Sequence, residues 1–272
     1  MKKLIAVADW AADSLTCQEI KTTIEGYLDN PNNPNISFVS STPSTIHTAY
    51  LISQLVEIEE RYGRPLNTVI FQGSDSVVDN PEGLSKIWGR LVIIRLKSGL
   101  HIIGPNSGYV YSLIRSKIET VFQYPGLPDS GSFRARDNFA RIVVLLMESQ
   151  QDNLDLEAIY THIIPGLQDY YVGHIDSFGN IITTAPESVV QQKYTYGDIV
   201  TVTINGETKQ AQYAKSLFDA QANTLIIYPG TTGTTDDPFL EISIYSDKLD
   251  DTAETGIYQF EDVIPGAKID IQ

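Results

Sequence analysis

What most constrains the fold of this chain is a change of hydrophobic period near Pro165-Gly166. Before it, short apolar runs alternate with longer segments whose apolar residues recur every three or four positions. Leu4 to Ala8 is continuously apolar, the pattern of a strand buried on both faces. Leu15, Ile20, Ile24 and Leu28 then fall at helical spacing, with Asp13-Ser14 to cap the segment. Ile36 to Val39 reads as a second strand. Ile46, Tyr50, Leu51, Leu55 and Ile58 mark a second helix, capped by Ser44 or Thr45. Thr68 to Phe71 reads as a third strand, and Leu91 to Ile94 and Leu100 to Ile103, joined by Lys97-Ser98-Gly99, as a hairpin. A helical pattern begins near Val110, and a longer one runs from Asp137 to Glu148. Strands alternating with helices predict an α/β layer domain.

After the change, short strands are predicted at Tyr170–Ile175, Ile181–Thr184, Ile199–Ile204, Thr208–Tyr213, Thr224–Ile227 and Phe239–Ile244. Asn205-Gly206 is a hairpin signal between two of them. Close-set strands and turns predict a small all-β barrel or sandwich. The expected organisation is an α/β N-terminal layer domain over 1–150, a linker over 151–168, and an all-β C-terminal barrel-like domain over 169–272.

Charge narrows the partners. With 19 basic against 34 acidic residues the net charge is −15, and the lysines and arginines are scattered. A phosphate backbone or anionic headgroup would be repelled, so neither nucleic acid nor a membrane is expected as a partner. A single cysteine, Cys17, excludes an internal disulfide and fits a reducing compartment. The start, Met1 to Ala8, has the flavour of a secretory signal, but its apolar run stops at Asp9-Trp10, short of the usual ~7–15 residues. No apolar run approaches the ~20 residues of a membrane span, so a cytoplasmic protein is expected.

The common site signatures are absent: no Gly-x-Gly-x-x-Gly after a strand, no lysine-bearing phosphate loop, no Gly-x-Ser-x-Gly elbow. Gly230 to Asp237 contains glycines but no lysine, and reads as a mobile turn. The four histidines show no metal-ligand spacing, and neither a metal nor a cofactor is expected. His101 and His174 lie inside strand-like runs, where hydrogen-bonded structural histidines are common. What remains is a set of loop acids and arginines. Asp9, the Gly73–Ser76 loop and the Gly104–Gly108 loop all follow strands, and sites in α/β sheets lie at strand C-terminal ends. A carboxylate at Asp9 can cap a helix or accept two hydrogen bonds from a diol. Asp75 and Asp79 sit in the loop after the third strand; Arg90 opens the next one; Arg134 and Arg136 flank the entry to the Asp137 helix. Such arginines serve either as surface charges paired with nearby acids or as anion holders. In Val172 to Thr184, Asp176 and Gly179-Asn180 separate two apolar runs. This predicts a hairpin whose acid caps the turn, or a turn from which Asp176 and Asn180 reach a ligand.

Taken together these segments resemble the S-adenosylmethionine hydroxide adenosyltransferases, relatives of the fluorinating and chlorinating nucleoside enzymes. Ala8-Asp9-Trp10-Ala11 is similar to the family's Thr-Asp-Phe-Gly, and Asn35 to Leu55 to its second strand and helix. Gly104-Pro105-Asn106-Ser107-Gly108 resembles its Pro-Asp-Asn-Gly loop. Ser132-Phe133-Arg134-Ala135-Arg136-Asp137-Asn138-Phe139-Ala140 resembles Thr-Phe-His-Gly-Arg-Asp-x-Phe-Ala. Ile175-Asp176-Ser177-Phe178-Gly179-Asn180-Ile181 matches Ile-Asp-x-Phe-Gly-Asn-Leu.

The resemblance implies hydroxide attack on the ribose C5′ of S-adenosylmethionine, giving adenosine and L-methionine, in a homotrimer with sites between subunits. It further implies that Asp9 holds the ribose hydroxyls, Asp13 and Ser14 approach the methionine part, Asp176 meets the α-amino group and Asn180 the adenine edge. Trp10 and Phe178 would be apolar walls. The hydrolytic members orient water with an Asp, an Arg and a His. Arg90 corresponds to that Arg; Asp75 by count, or Asp79 by its surroundings, corresponds to the Asp; and the His position holds Arg134. Arginine stays protonated and cannot act as a base, though it can hold an anion. Asn106 and Ser107 replace the loop's Asp and Asn, and the family's late-loop Arg has no clear counterpart near Gly230–Asp237. Two alternatives follow: a nucleoside-binding pseudoenzyme, or halide transfer.

Overall fold

The computed structural model describes residues 2–30, 34–74, 89–127, 132–245 and 255–272. It divides into two compact units, residues 1–166 and 167–272. The first is built on a seven-stranded sheet: β1 (Lys3–Ala8), β2 (Ile36–Ser40), β3 (Thr68–Gln72), β4 (Leu91–Leu96), β5 (His101–Pro105), β6 (Ile118–Gln123) and β7 (Glu157–Ile159), in the order β2-β1-β3-β5-β4-β6-β7. β2, β1, β3 and β5 run parallel, whereas β4, β6 and β7 are antiparallel to their neighbours.

Both faces of the central strands are covered, as a continuous apolar run demands. Leu4 and Ala6 of β1 face one core with α1 (Ser14–Tyr27) and α3 (Ala140–Met147), through Ile20, Ile24, Val143 and Leu146. Ile5 and Val7, alternating with them, face the other core with Ile52 and Val56 of α2 (Thr45–Tyr62). The caps follow the sequence: the Asp13 carboxylate accepts from Leu15 N, and Ser44 rather than Thr45 accepts from His47 N.

This unit differs from expectation at several places. The helical pattern near Val110 is only a 3₁₀ segment, Ser112–Lys117, which passes directly into β6. The β-branched residues Ile118, Thr120 and Val121 favour the extended chain there. The Asp137 helix starts earlier, through a π turn over Ala135–Phe139. Residues 151–168, expected as a linker, carry β7 and bury Ile163 and Ile164 in the second core.

The second unit is a closed barrel of seven strands: β8 (Tyr170–Ile175), β9 (Ile181–Pro186), β10 (Ile199–Ile204), β11 (Glu207–Tyr213), β12 (Leu225–Gly233), β13 (Pro238–Ile244) and β14 (Lys268–Ile271). The order around it is β10-β11-β12-β13-β9-β8-β14, and β10 pairs antiparallel with β14 to close it. Alternate residues, among them Val200, Val202, Ile204, Leu240 and Ile242, fill its core.

Gly230–Asp237 is not a free turn. Gly230 to Gly233 continue β12 past a register shift after Pro229. The turn beyond is tied down by Asp237, whose carboxylate accepts from Ser188 N at 2.9 Å and Ser188 Oγ at 2.7 Å. β14 escapes the sequence pattern because its four residues, Lys268-Ile269-Asp270-Ile271, show little more than one alternation. No helix among the described residues is long and apolar enough to cross a membrane.

Candidate functional site

The C-terminal ends of β1, β3 and β5 lie side by side because these strands are parallel neighbours. Antiparallel pairing brings the start of β4 to the same edge, with Leu91 opposite Pro105, and the end of β6, with Gln123 opposite Val92. Asp9, Gly73, Arg90 and Asn106 therefore share one rim of the sheet. Sites in open α/β sheets are found on this rim.

Two adjoining pockets open here within the first unit. The smaller, about 280 Å³, is lined by Asp9, Trp10, Gly73, Phe133, Arg134 and Phe139, among others. The larger, about 600 Å³, is lined by Arg90, Gln123, Tyr124, Arg134, Asn138 and Phe139, among others. Arg134 belongs to both.

A hydroxyl network positions Asp9. Its backbone N donates to Ser74 Oγ at 3.0 Å; Ser74 Oγ is 3.2 Å from Ser41 Oγ, which accepts from Thr48 Oγ1 at 3.2 Å. Asp9 Oδ1 accepts from Trp10 N at 2.9 Å, so the carboxylate is oriented by the turn it opens. Trp10 is held by Nε1 donating to the Gly73 carbonyl at 3.2 Å and by edge-on packing against Phe38 and Phe133. Gly73 must be glycine for this indole to fit, since a Cβ there would lie 2.6 Å from Trp10 Cζ2.

Arg134 donates from Nη1 to the Gly89 carbonyl at 3.1 Å, and its guanidinium sits 5.6 Å from the Phe139 ring centre. Burial lowers its pKa from the ordinary value, yet it remains a cation and cannot take a proton at neutral pH. Arg90 donates from Nη1 to Gln123 Oε1 at 3.4 Å, and its carbonyl accepts from Asn106 N at 2.9 Å. The buried Asn106-Ser107 loop thus anchors the backbone of Arg90. Arg136 is a surface charge, paired with Asp137 Oδ1 at 2.6 Å and Glu19 Oε1 at 2.5 Å. Asp75 and Asp79 lie outside the described residues.

Asp13 and Ser14 line neither pocket. Asp13 acts as the α1 cap, accepting from Leu15 N at 2.9 Å and Thr16 Oγ1 at 3.0 Å. Those hydrogen bonds, the backbone one first, hold its carboxyl below the usual range.

In the barrel, Asp176 to Asn180 form the turn of the β8–β9 hairpin. Asp176 Oδ1 accepts from Phe178 N and Asn180 N, each at 2.9 Å, and Oδ2 accepts from Asn180 Nδ2 at 2.9 Å. Asn180 Oδ1 in turn accepts from Ser243 Oγ on β13. A carboxylate offers about four lone-pair directions, so one on Oδ2 is left for a ligand. Beside this turn, Tyr228 donates to Glu241 Oε2 at 2.9 Å, and Glu241 Oε1 accepts from Thr231 N at 3.3 Å. Burial first, then the Glu241 charge, push the Tyr228 phenol above its usual range, with Asp176 adding to the effect. Phe178 is 75% exposed on the turn. The turn itself depends on Gly179, whose φ of +83° brings its carbonyl to accept from Ile257 N at 2.9 Å.

Ser74, Phe133, Phe139 and Ser243 were not singled out from sequence as site residues. Ser74 was accessible to the same reasoning as Asp9, because it too follows a parallel strand. Ser243 was not, since only the long-range pairing of β13 with β9 brings it to Asn180.

Comparisons with known proteins bear on both units. The chain is similar over 99% of its length to the crystal structure of an uncharacterized conserved protein from Thermotoga maritima, covering 100% of that chain, with a TM-score of 0.69 and 20% identity. It is similar over its whole length to a conserved hypothetical protein from Thermus thermophilus, again over 100% of that chain, with a TM-score of 0.63 and 16% identity. These likenesses establish the shared fold. The family model for the SAM hydroxide adenosyltransferase C-terminal domain matches residues 170–258, β8 onward. The (R)-S-adenosyl-L-methionine hydrolase of Methanocaldococcus jannaschii is 28% identical over 181 residues. Over the barrel, residues 170–258, the chain is thus similar to the S-adenosylmethionine hydroxide adenosyltransferases. The alignment to that hydrolase spans 63% of this chain and 64% of the relative, just under two thirds of the relative's length. Within the first unit, the π turn that opens α3 presents Arg134 to both rim pockets.

Proposed function

We propose that the protein processes S-adenosylmethionine, cleaving it to adenosine and L-methionine with water as the nucleophile. The observation that carries this reading is the smaller rim pocket, where an oriented carboxylate, Asp9, stands beside the Trp10 indole and the Arg134 cation. A carboxylate is the acceptor a ribose diol needs, an indole offers an apolar wall to the nucleoside, and a fixed cation draws an oxyanion. The chemistry asks little else of the protein. Water attacks C5′, the C5′–sulfur bond breaks, methionine departs as a neutral thioether, and one proton is released. The sulfonium is a good leaving group, so catalysis amounts to desolvating and orienting the nucleophile. Arg134 contributes charge to that orientation rather than proton removal. As the family resemblance implies, we take the ligand to be shared between copies of the chain in a trimer.

The pseudoenzyme reading draws on the same residue: with Arg134 at the position of the family's histidine, no imidazole base lines the pocket among the described residues. Incubation with S-adenosylmethionine, with and without chloride or fluoride, followed by chromatography separates the readings. Adenosine and methionine are expected in equal amounts. A 5′-halo-nucleoside would replace hydrolysis with halide transfer, and tight calorimetric binding without product would leave a binding protein. No binding at all would overturn the ligand.

A further inference from the structure

The opposite edge of the first unit's sheet carries a second polar pocket, of about 480 Å³, lined by Lys2, Lys3, Asn35, Tyr62, Arg64 and Asn67, among others. It lies at the amino ends of β1, β2 and β3, whereas Asp9 lies just past the carboxyl end of β1. Six residues of strand at about 3.3 Å each put some 20 Å between the two. The pocket is therefore separate from the candidate site.

Its charge is not balanced. Lys3 Nζ is paired with the buried Glu59 at 2.5 Å, and the same carboxylate accepts from Thr68 Oγ1 at 2.8 Å and Arg64 N at 3.4 Å. Burial disfavours that charge, but the hydrogen bonds from Lys3 and Thr68 hold the Glu59 carboxyl below its usual range. Glu59 is thus consumed by Lys3, the Thr68 hydroxyl and the Arg64 backbone N–H. Among the described residues, no carboxylate lies within ion-pair distance of Lys2 Nζ or of the Arg64 guanidinium. Burial lowers the Lys2 pKa, with no acid to offset it. Lys2 and Arg64 thus line one concave site with no carboxylate partner among the described residues, in a protein whose net charge is −15. Nearby acids would ordinarily neutralise them, and the surrounding field makes a fortuitous positive pocket less expected. The amides of Asn35 and Asn67 supply further hydrogen-bonding groups, and Tyr62, 78% exposed, gives the rim an aromatic edge.

We propose that this pocket binds a small phosphate-bearing anion, held between Lys2 and Arg64. A phosphate dianion matches these two cations, and the planar guanidinium can grip two of its oxygens. Sequence order hides the site, because Lys2 and Arg64 are joined only when β1 and the segment leading into β3 become neighbours.

The test uses the full chain and inorganic phosphate, with chloride at matched ionic strength as the reference. Calorimetric titration should show saturable phosphate binding, and phosphate should raise the melting temperature above that in chloride. The Lys2→Gln/Arg64→Gln double variant should bind phosphate on the order of tenfold more weakly or worse, the ratio expected when a charge-assisted contact is lost. Its melting temperature in chloride serves as the check on folding. Asp9→Asn should leave phosphate binding as it is. The proposal is overturned if the wild-type chain shows no saturable binding, if the double variant binds as the wild type does, or if Asp9→Asn abolishes binding.

Discussion

Replacing Asp176 by alanine removes the acceptor around which the β8–β9 turn is built. Three hydrogen bonds end on its carboxylate, two from backbone N–H groups and one from the Asn180 amide. The turn is partly open to water, which will reclaim some of the freed donors, so each bond is worth the lower part of the usual ~0.5–1.5 kcal/mol. The sum is about 2 kcal/mol. Asp176→Asn is the informative partner. It can keep an oxygen toward Phe178 N and Asn180 N, but it sets an amide nitrogen against Asn180 Nδ2. Flipping the Asn180 amide would relieve that clash, with its nitrogen turned toward Ser243 Oγ. The asparagine variant should therefore lose only about 1 kcal/mol or less. In a barrel of this size that is a fall of about 4 °C in melting temperature, against about 8 °C for alanine. Scanning calorimetry of the full chain measures both. An alanine variant that melts with the wild type would refute the claim that this carboxylate organises the turn. If asparagine cost as much as alanine, charge and not acceptor geometry would be the cause. The same asparagine variant tests the ligand role: if the remaining lone pair on Oδ2 meets an ammonium group, S-adenosylmethionine binding weakens by about 1.5–3 kcal/mol.

Gly73→Ala should push the Trp10 indole off its seat, because Phe38, Phe71 and Phe133 leave it no retreat. The expected cost is about 1–3 kcal/mol of stability with weakened ligand binding, read by thermal denaturation and calorimetric titration. Unchanged binding would remove Trp10 from the site. Tyr228→Phe takes away a donor to the buried Glu241 carboxylate and should destabilise the barrel by about 1–3 kcal/mol in urea unfolding. Burial, then the charges of Lys2 and Arg95, lower the His101 pKa to about 4. The unfolded chain, with an ordinary histidine near 6.5, then binds more protons than the folded one between these values. Stability should decline as pH falls from about 6.5 toward about 4, and His101→Gln should flatten that part of the urea-midpoint profile. A slope unaltered by the substitution would place the titrating group elsewhere.

Much of the architecture was legible because it is written in local period. The two-sided burial of β1 follows from an unbroken apolar run, and the hairpin at Asn205-Gly206 from residues that tolerate positive φ. The caps at Asp13 and Ser44 follow from side chains that satisfy helix-end N–H groups. Asp9 was legible for a similar reason, since a strand that ends in an acid presents that acid at the sheet rim. The segments that misled were those whose state is set by distant partners. β6 is extended because β4 and β7 flank it, β7 is a strand only by joining β6, and Gly230–Gly233 are held extended by β13 and Glu241.

The same division runs through the candidate sites. By itself the sequence determined the α/β and barrel classes, the family resemblance, the acid at the end of β1 and, through that resemblance, an arginine at the position where the resembled family has a histidine. Only the tertiary structure decided which of these groups meet. It set Arg134 between two rim pockets, engaged both oxygens of Asp176 within its own turn, linked Asn180 to Ser243, and gathered Lys2 and Arg64 at the far edge of the sheet. The physical reason is that periodicity and capping act over a few residues along the chain, whereas a site is made by strand order, which sequence spacing does not encode.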